Sequence, residues 1–320
     1  MKWLRQLGPV LALVVLIICL TIASPFFLTV DNLLNIFRQS AINALLALGQ
    51  LMVIITAGID LSVGSIMGLC SVVAAKSLKA GHPVAVSMII CLAAGTGFGW
   101  LNGTLLTRLK LPHPFIATLG TMNIARGLVY IISDGVSVSE LPQSFRFLGA
   151  STVGIVPMPV IVVVIVYSLF HFFLNHHVAG RDIYAIGGNQ QAAWFSGIPV
   201  AKRLVLVYIF SGLLAAIAAI VLTGRMNAGF PQAGVGAELD SIAAVIIGGA
   251  SFFGGVGNVW GTLVGSLIMG VLRNGLNLLN VSTHWQTVVV GSVIIWAVWI
   301  DVARQRMSKR SIALSKSAES

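Results

Sequence analysis

Charge is what this sequence has least of. Only 9% of its 320 residues are Asp, Glu, Lys or Arg, whereas a soluble domain carries about 25%. Hydrophobic residues make up 57% of the chain, and the mean hydropathy is +0.97. Long apolar runs recur, in contrast to the alternating segments of roughly ten residues in an outer-membrane barrel. The composition excludes a soluble protein and predicts an all-α integral membrane protein in a lipid bilayer.

Cysteine and the common catalytic patterns are also scarce. The three cysteines, Cys19, Cys70 and Cys91, lie in apolar runs and have neither metal-binding spacing nor the pattern of a disulfide framework. The histidines form no His-x-x-x-His pair, and there is no Gly-x-Ser-x-Gly. A Gly-x-x-x-x-Gly-Lys-Ser/Thr phosphate loop is absent as well. We therefore predict no catalytic residue, no metal site and no cofactor, and any ATP must be bound by another protein.

The basic residues are informative through their position. A net charge of +10 would indicate nucleic acid in a soluble protein, but in a membrane protein an excess of Lys and Arg marks the cytoplasmic loops. Most of them fall on one side of the spans: Lys2, Arg5, Arg108, Lys110, Arg181, Lys202, Arg203, Arg304, Arg306, Lys309, Arg310 and Lys316. The other side holds Arg38, Lys76, Lys79, Arg146 and Arg225, with Asp31, Asp134, Glu140, Glu238 and Asp240. This bias predicts both termini in the cytoplasm and no nucleic-acid partner.

About ten apolar runs are long enough to be read as transmembrane helices. They are Leu7–Ala23, Ala41–Ala57, Leu61–Leu78, Val84–Leu106, Phe115–Ile132, Pro159–Leu174, Leu204–Thr223, Ser241–Phe253, Val259–Leu272 and Thr287–Ile300. The last three are short for a hydrocarbon core of about 30 Å, so they are either extended by flanking residues or broken helices buried by their neighbours. Residues 1–320 are thus predicted to form one transmembrane domain, ending in a basic cytoplasmic tail over 304–320.

A polar segment interrupts the apolar pattern within a predicted cytoplasmic loop at 176–203. Helix formers occupy 190–193, Gly188-Asn189 can begin and cap a helix, and Gly197 can end it. We predict a short amphipathic helix lying across the cytoplasmic surface. Two interpretations are open: a docking site for another protein, or an interfacial helix in the headgroups.

Polar residues within the spans are the other candidates. Asp60 stands between two apolar runs, and we favour a role as N-cap of the third helix over a substrate contact. For Arg126, with Asn123 one turn before it, pathway lining and structural pairing are both open. Asn102, Asn274 and Asn277 are expected to include both interhelical hydrogen bonds and substrate contacts. So few ionisable groups argue against a proton- or sodium-coupled carrier.

Two pairs of segments read alike and predict a weak internal repeat. Gly99–Leu109 and Met269–Leu279 both contain Asn-Gly followed by leucines. Val53-Ile-Ile and Val245-Ile-Ile each precede a glycine-rich break. A repeat of this kind is typical of a transport core built from related halves.

Five motifs, in this order, resemble the ribose-type permease family of bacterial ATP-binding-cassette sugar importers. They are Ala57-Gly-Ile-Asp-Leu-Ser-Val-Gly-Ser, Phe115-Ile-Ala-Thr-Leu-Gly, Gly180-Arg-Asp-Ile-Tyr-Ala-Ile-Gly-Gly-Asn, Ser196-Gly-Ile, and Glu238-Leu-Asp-Ser-Ile-Ala-Ala-Val-Ile-Ile-Gly-Gly. The resemblance covers roughly residues 10 to 303. It implies a non-enzymatic permease of the bacterial inner membrane that translocates a monosaccharide, ribose, allose or a similar aldose, by alternating access. The alternative is an ion-gradient-driven secondary sugar carrier.

The resemblance also implies partners. These are a cytoplasmic ATPase with two nucleotide-binding halves, a periplasmic sugar-binding protein and a second permease subunit, expected to be identical. The family's coupling helix, which docks on the ATPase, corresponds to Gly187, Gly188, Asn189, Ala192, Ala193, Ser196, Gly197 and Ile198. Glu238 and Asp240 would contact the binding protein. Because that protein largely sets specificity in such systems, the permease is not expected to reveal the sugar.

Overall fold

The computed structural model describes residues 2–109, 111 and 113–318, and the side chains of 8–109, 111 and 113–303. Lys110, assigned above to the cytoplasmic side, lies outside the described residues, as do the last two residues of the predicted tail. The described residues form thirteen helices: α1 (Lys2–Ala23), α2 (Val30–Ile55), α3 (Val63–Lys79), α4 (Val84–Arg108), α5 (Pro114–Ser133), α6 (Gln143–Ala150), α7 (Met158–His176), α8 (Val178–Gly188), α9 (Gln190–Phe195), α10 (Val200–Met226), α11 (Ala237–Ile247), α12 (Val259–Leu278) and α13 (Thr283–Ala318).

Four two-residue strands complete the described elements. They are β1 (Val138–Ser139), β2 (Thr152–Val153), β3 (Val156–Pro157) and β4 (Ala228–Gly229). β1 pairs with β4 and β2 pairs with β3, both antiparallel. The β1–β4 pair joins the connection after α5 to the connection after α10, so it fixes these two loops to each other.

Seven helices are long and apolar enough to cross a membrane: α2, α4, α5, α7, α10, α12 and the first part of α13, Thr283–Ala303. The prediction of an all-α membrane protein is confirmed. The other three predicted runs are also helical but shorter: Gly8–Ala23 within α1, the 17 residues of α3 and the 11 residues of α11. Residues 241–246 of α11 are all buried, which is how a helix too short to cross alone is tolerated at membrane depth.

Several predicted bounds differ from the structure. α2 begins at Val30 instead of Ala41. α12 continues to Leu278 and α13 begins at Thr283, so among the last three predicted runs only the one at 241–253 contains a short helix. Two helices, α6 and α8, lie in segments that the hydropathy pattern left as loops. Hydropathy misses α6 and α8 because neither is apolar enough to be read as a span.

Helix α2 is the centre of the bundle. Nearly every residue from Ser40 to Ile55 is buried, and the helix packs against α7, α10, α11 and α12. α10 in turn packs against α4 through glycines spaced four residues apart. A Cβ on Gly95, Gly99 or Gly103 would overlap or crowd the backbone of α10. The glycine cluster at 95–99 therefore serves helix packing, as expected for small residues in lipid.

The predicted internal repeat stays a prediction. α4 lies against α10 and α3, and α12 lies against α2 and α11. Asn102 of α4 and Asn274 of α12 are both buried, but Asn102 bonds to the N-cap of α3, whereas Asn274 bonds to Asn32 inside α2. The second overlay matches α2 with α11, although in the packing α2 takes the place beside α12 that α10 takes beside α4.

The ion pairs of the described side chains keep within the two predicted sides. Lys76 pairs with Asp134 at 3.5 Å and Lys79 with Glu140 at 3.4 Å, all on the predicted outer side. On the predicted inner side, Arg203 Nε lies 2.7 Å from Asp182 Oδ2. This segregation is what the assignment of loops by charge requires.

Candidate functional site

A short helix is present where one was predicted, as α9. Asn189 caps it, with its Oδ1 accepting a hydrogen bond from Ala192 N at 2.9 Å. The helix ends where Gly197 adopts φ +82°, a left-handed conformation that favours glycine. Ser196 Oγ donates back to Ala192 O at 2.9 Å. Local capping signals thus define α9 at both ends.

One face of α9 is anchored and the other is free. Ala193 is buried against Ile186, Val200 and their neighbours. Trp194 and Phe195 are 64% and 79% exposed, with ring centroids 5.0 Å apart and edge-to-face. Two adjacent aromatic rings exposed on a short capped helix form a surface suited to contact another protein or the headgroups.

Gly187, at the end of α8, joins the α8–α9 segment to the bundle core. A Cβ on Gly187 would overlap the carbonyl oxygen of Ile55 and lie 2.5 Å from Gly255 N. Gly255 N itself donates to Ile55 O at 2.8 Å. We call this contact of 187–188, 55–57 and 254–255 the glycine junction. It places the backbone leading into α9 directly on the end of α2 and on the loop after α11.

Two side chains hold α8 in place beside the glycine junction. Tyr184 donates its hydroxyl to Gly257 O at 3.0 Å, and burial raises the pKa of Tyr184, so it remains a donor at neutral pH. Asp182 accepts from Arg203 Nε at 2.7 Å, which links α8 to the start of α10. α8 therefore contacts α2, the start of α10 and the loop at 248–258.

Asp60 lies at the centre of a buried hydrogen-bond network. Its Oδ1 accepts from Ser62 N at 2.9 Å and Ser62 Oγ at 2.5 Å, and its Oδ2 accepts from Ser211 Oγ at 2.8 Å. Asp60 is fully buried. The N-cap of α3 is Ser62, so the predicted cap is corrected in detail: Asp60 closes the turn before the helix. All three bonds go to the protein, and the structural role of Asp60 stays a prediction.

Asn102 extends this network across the bundle. Its Nδ2 donates to Ser62 Oγ at 2.8 Å and its Oδ1 accepts from Thr121 Oγ1 at 2.6 Å. The chain of bonds from Ser211 through Asp60 to Thr121 connects α10, α3, α4 and α5. Both polar ends of the Asn102 amide are occupied by protein, which makes it an interhelical bond of the predicted kind.

Arg126 is held by backbone. Its Nη1 donates to Pro231 O at 3.0 Å and Ala233 O at 2.9 Å. These carbonyls belong to the loop between β4 and α11, which passes so close to α3 that a Cβ on Gly64 or Gly68 would overlap or crowd it. The structure thus favours structural pairing over pathway lining for Arg126.

The remaining asparagines separate into two groups. Asn274 exchanges hydrogen bonds with Asn32 at 2.7 and 3.1 Å, and Asn277 Oδ1 accepts from Gln286 Nε2 at 2.7 Å. Asn123 instead bonds only to Leu119 O of its own helix, at 2.9 Å, and is exposed. Asn123 and Asn277 are the predicted polar candidates that are exposed among the described residues, and of these two Asn277 is bonded to another side chain, that of Gln286.

The two acidic candidates for a periplasmic contact are both half-buried. Asp240 forms an ion pair with Arg273 at 2.7 Å. Glu238 Oε2 is buried and has no hydrogen-bond partner among the described residues, and it lies against Gly64. The contact of both residues with the binding protein stays a prediction. Asp240 already has a basic partner within the chain.

Sequence reasoning overlooked Ser62, Ser211 and Thr121 of the buried network, and Gly255 of the glycine junction. Serine and threonine are common in packed membrane helices, so their presence carried no signal. The Gly254-Gly255 bend was visible in the sequence, but its contact with Gly187 depends on the fold.

Comparison with known proteins gives consistent matches over almost the whole chain. The family described as the permease component of branched-chain amino acid transport systems matches residues 32–298. A ribose import permease protein of Bacillus subtilis is 44% identical over 300 residues, 93% of each chain. A D-allose transport system permease protein of Escherichia coli is 44% identical over 88% of this chain and 86% of its own length. A ribose import permease protein of Escherichia coli is 41% identical over 95% of each chain. No solved structure matches significantly.

Proposed function

The chain belongs to this family of transport-system permease components, and on that premise we propose that it is the membrane subunit of an ATP-binding-cassette importer for an aldose such as ribose or allose. The relatives named for ribose and for allose are equally similar to it, at 41–44% identity. The permease component is not itself an enzyme. It lies in the inner membrane as a multi-pass protein.

The observation that carries the proposal is the polar segment that interrupts the apolar runs. α9 is capped and anchored, and it exposes Trp194 and Phe195. In this account it is the coupling helix that docks on the cytoplasmic ATPase with its two nucleotide-binding halves. The proposed coupling residues are α9 with its flanks: Gly187, Gly188, Asn189, Ala192, Ala193, Ser196, Gly197 and Ile198. The glycine junction then transmits ATPase closure to the ends of α2 and α11.

The proposed topology is ten crossings with both termini inside. Support comes from the ten helical runs and from the ion pairs, which stay within the two sides predicted by charge. In this arrangement α9 and the 304–320 tail are cytoplasmic. The outer ends of α3, α5 and α10 then face the periplasmic sugar-binding protein.

A second, identical permease subunit completes the proposed pathway. α5 is mostly exposed, and its outward face carries Gly120 and Gly127, beside which a Cβ would have open space. Asn123 stands between them on the same face. Small residues with one amide allow close helix approach and hydrogen bonding across an interface. This face is proposed to meet its copy and line the route that alternates between the two sides.

The test is transport by the purified importer in proteoliposomes. With the ATPase and binding protein present, aldose uptake is expected to require ATP hydrolysis and to be unaffected by an uncoupler. An ion-gradient-driven carrier would behave in the opposite way: uptake without ATP that collapses with the uncoupler. The latter result would refute the proposal.

A further inference from the structure

A pocket with a mixed polar and apolar lining lies among α2, α10, α11 and α12, on the predicted outer side of the bundle. Its volume is about 300 Å³. Six polar side chains line it: Gln39, Ser40, Asn43, Arg225, Asp240 and Arg273. It is separate from the Asp60 network and from the proposed α5 interface. Charged residues within membrane helices are uncommon and mark functional sites by default.

Three polar atoms of the lining residues lack a partner. Ser40 Oγ, Asn43 Oδ1 and Arg273 Nε are buried without a hydrogen bond among the described residues, and Ser40 is only 3% exposed. Buried polar groups are almost always hydrogen-bonded in folded proteins. All three atoms lie behind the cavity wall, but they belong to residues that line it, so a polar occupant becomes their partner when the side chains turn toward it.

The donors and acceptors of the lining identify the class of occupant. Arg273 is neutralised by Asp240 at 2.7 Å, and Arg225 donates to Asn35 at 2.9 Å. The lining therefore presents donors on its two arginines, an acceptor on Asp240 and both kinds of group on its two amides. An anion would need donors and a metal ion acceptors, whereas each hydroxyl of a sugar both donates and accepts.

The pocket also has the size of a small sugar. A volume of about 300 Å³ corresponds to roughly ten water molecules at about 30 Å³ each, which is the scale of one monosaccharide. The apolar part of the lining, with Ile42, Leu46 and Met269, can contact the C–H faces of a sugar ring.

We infer that this pocket is a monosaccharide site inside each permease subunit, in which Asn43 and the Asp240–Arg273 pair bind sugar hydroxyls and Ser40 closes the floor. The inference rests on the proposed function, which names the substrate class. It assigns Asp240 to the substrate in place of the binding protein, and it gives the permease residues of its own that discriminate among sugars.

The test is protection of a cysteine by sugar in the purified permease in lipid nanodiscs. Ser40→Cys is made in a Cys19→Ser background, because Cys19 is exposed whereas Cys70 and Cys91 are buried. A small water-soluble thiol reagent is added with D-ribose, D-allose or inorganic phosphate. Gln39→Cys is a second reporter in case Ser40→Cys reacts too slowly to measure.

A saturating aldose is expected to slow labelling of the pocket cysteine at least threefold. Labelling of Thr152→Cys, exposed outside the pocket, should not change. When Asn43→Leu is combined with the cysteine reporter, sugar should no longer slow labelling, while the labelling rate in the absence of sugar stays the same. If Asn43 had a purely structural role, its loss would change the rate in the absence of sugar as well.

Two results would overturn the inference. One is the absence of protection of both reporters by every aldose that the complete importer transports. The other is protection by inorganic phosphate and by no aldose, which would make the pocket an anion site. Failure of the proposed function is distinguishable, since the complete importer would then show no ATP-driven aldose uptake at all.

Discussion

Gly187→Ala tests how the proposed coupling helix is joined to the transmembrane core. The added methyl would overlap the Ile55 carbonyl oxygen and lie 2.5 Å from Gly255 N. Those two atoms share the 2.8 Å hydrogen bond that joins the end of α2 to the loop after α11. Backbone on both sides leaves the methyl no flexible neighbour to displace, so α8 must move away from the glycine junction.

The expected cost follows from the two interactions that change. Overpacking of a close contact costs about 1–3 kcal/mol, and an unmade buried hydrogen bond adds about 1–3 kcal/mol. Gly188→Ala is the matched control: its Cβ would meet no described atom within 4 Å. Alanine is the better helix former by about 1 kcal/mol, so the control should be neutral or slightly stabilising.

The assay compares uptake and ATP hydrolysis for both variants in the reconstituted importer. Gly187→Ala is expected to hydrolyse ATP with at least a tenfold lower yield of transported sugar, because the ATPase still docks on α9 but its motion no longer reaches α2. Gly188→Ala should match the unmodified protein. Normal sugar transported per ATP in Gly187→Ala, or equal losses in both variants, would refute the role of the glycine junction.

Three further substitutions have expected outcomes. Gly197→Arg should abolish both co-purification with the ATPase and sugar uptake, while membrane insertion persists. The reason is that φ is +82° at this position and that the added side chain falls on the docking face. Asparagine tolerates this conformation, so Gly197→Asn should retain co-purification and uptake. Asp60→Asn keeps one acceptor oxygen in place of two. The free energy of unfolding, measured by thermal unfolding, should therefore fall by about 1–3 kcal/mol, with normal uptake per folded protein. Lost uptake at unchanged stability would instead indicate a substrate contact. Tyr184→Phe removes the hydrogen bond to Gly257 O, so the free energy of unfolding, measured by thermal unfolding, should fall by about 1 kcal/mol. Because burial raises the pKa of Tyr184 above its usual 10.0, the hydroxyl loses its proton at a lower pH in the unfolded chain than in the folded one. The difference in the free energy of unfolding between Tyr184→Phe and the unmodified protein should therefore shrink above pH 10. An unchanged difference would contradict this.

Locally encoded features were predictable from the sequence. The Asn189 cap and the Gly197 stop are signals within a few residues of α9, so its existence and both ends could be derived. The apolar runs identified the seven helices long enough to cross a membrane and three shorter ones, and the charge bias predicts two sides for their loops. These patterns need no knowledge of what packs where.

Features that depend on long-range packing were not predictable. α8 contains Gly180, Gly187 and Gly188, and glycine is unfavourable in helices, so the segment was read as a loop; Gly180 and Gly187 are there because neighbouring backbone leaves no room for a Cβ. Asp60 was recognised, but its partner Ser211 is 151 residues away. The extent of α2 was underestimated because its first turns carry Asp31 and Arg38 toward the outer surface.

The most direct test of the account identifies the energy source of transport. Aldose uptake should be measured in proteoliposomes containing the permease, ATPase and binding protein, with unmodified protein and Gly197→Arg compared. We expect uptake to depend on ATP, to resist an uncoupler and to vanish with Gly197→Arg. Uptake that survives ATP depletion, collapses with the uncoupler and is unaffected by Gly197→Arg would contradict the account.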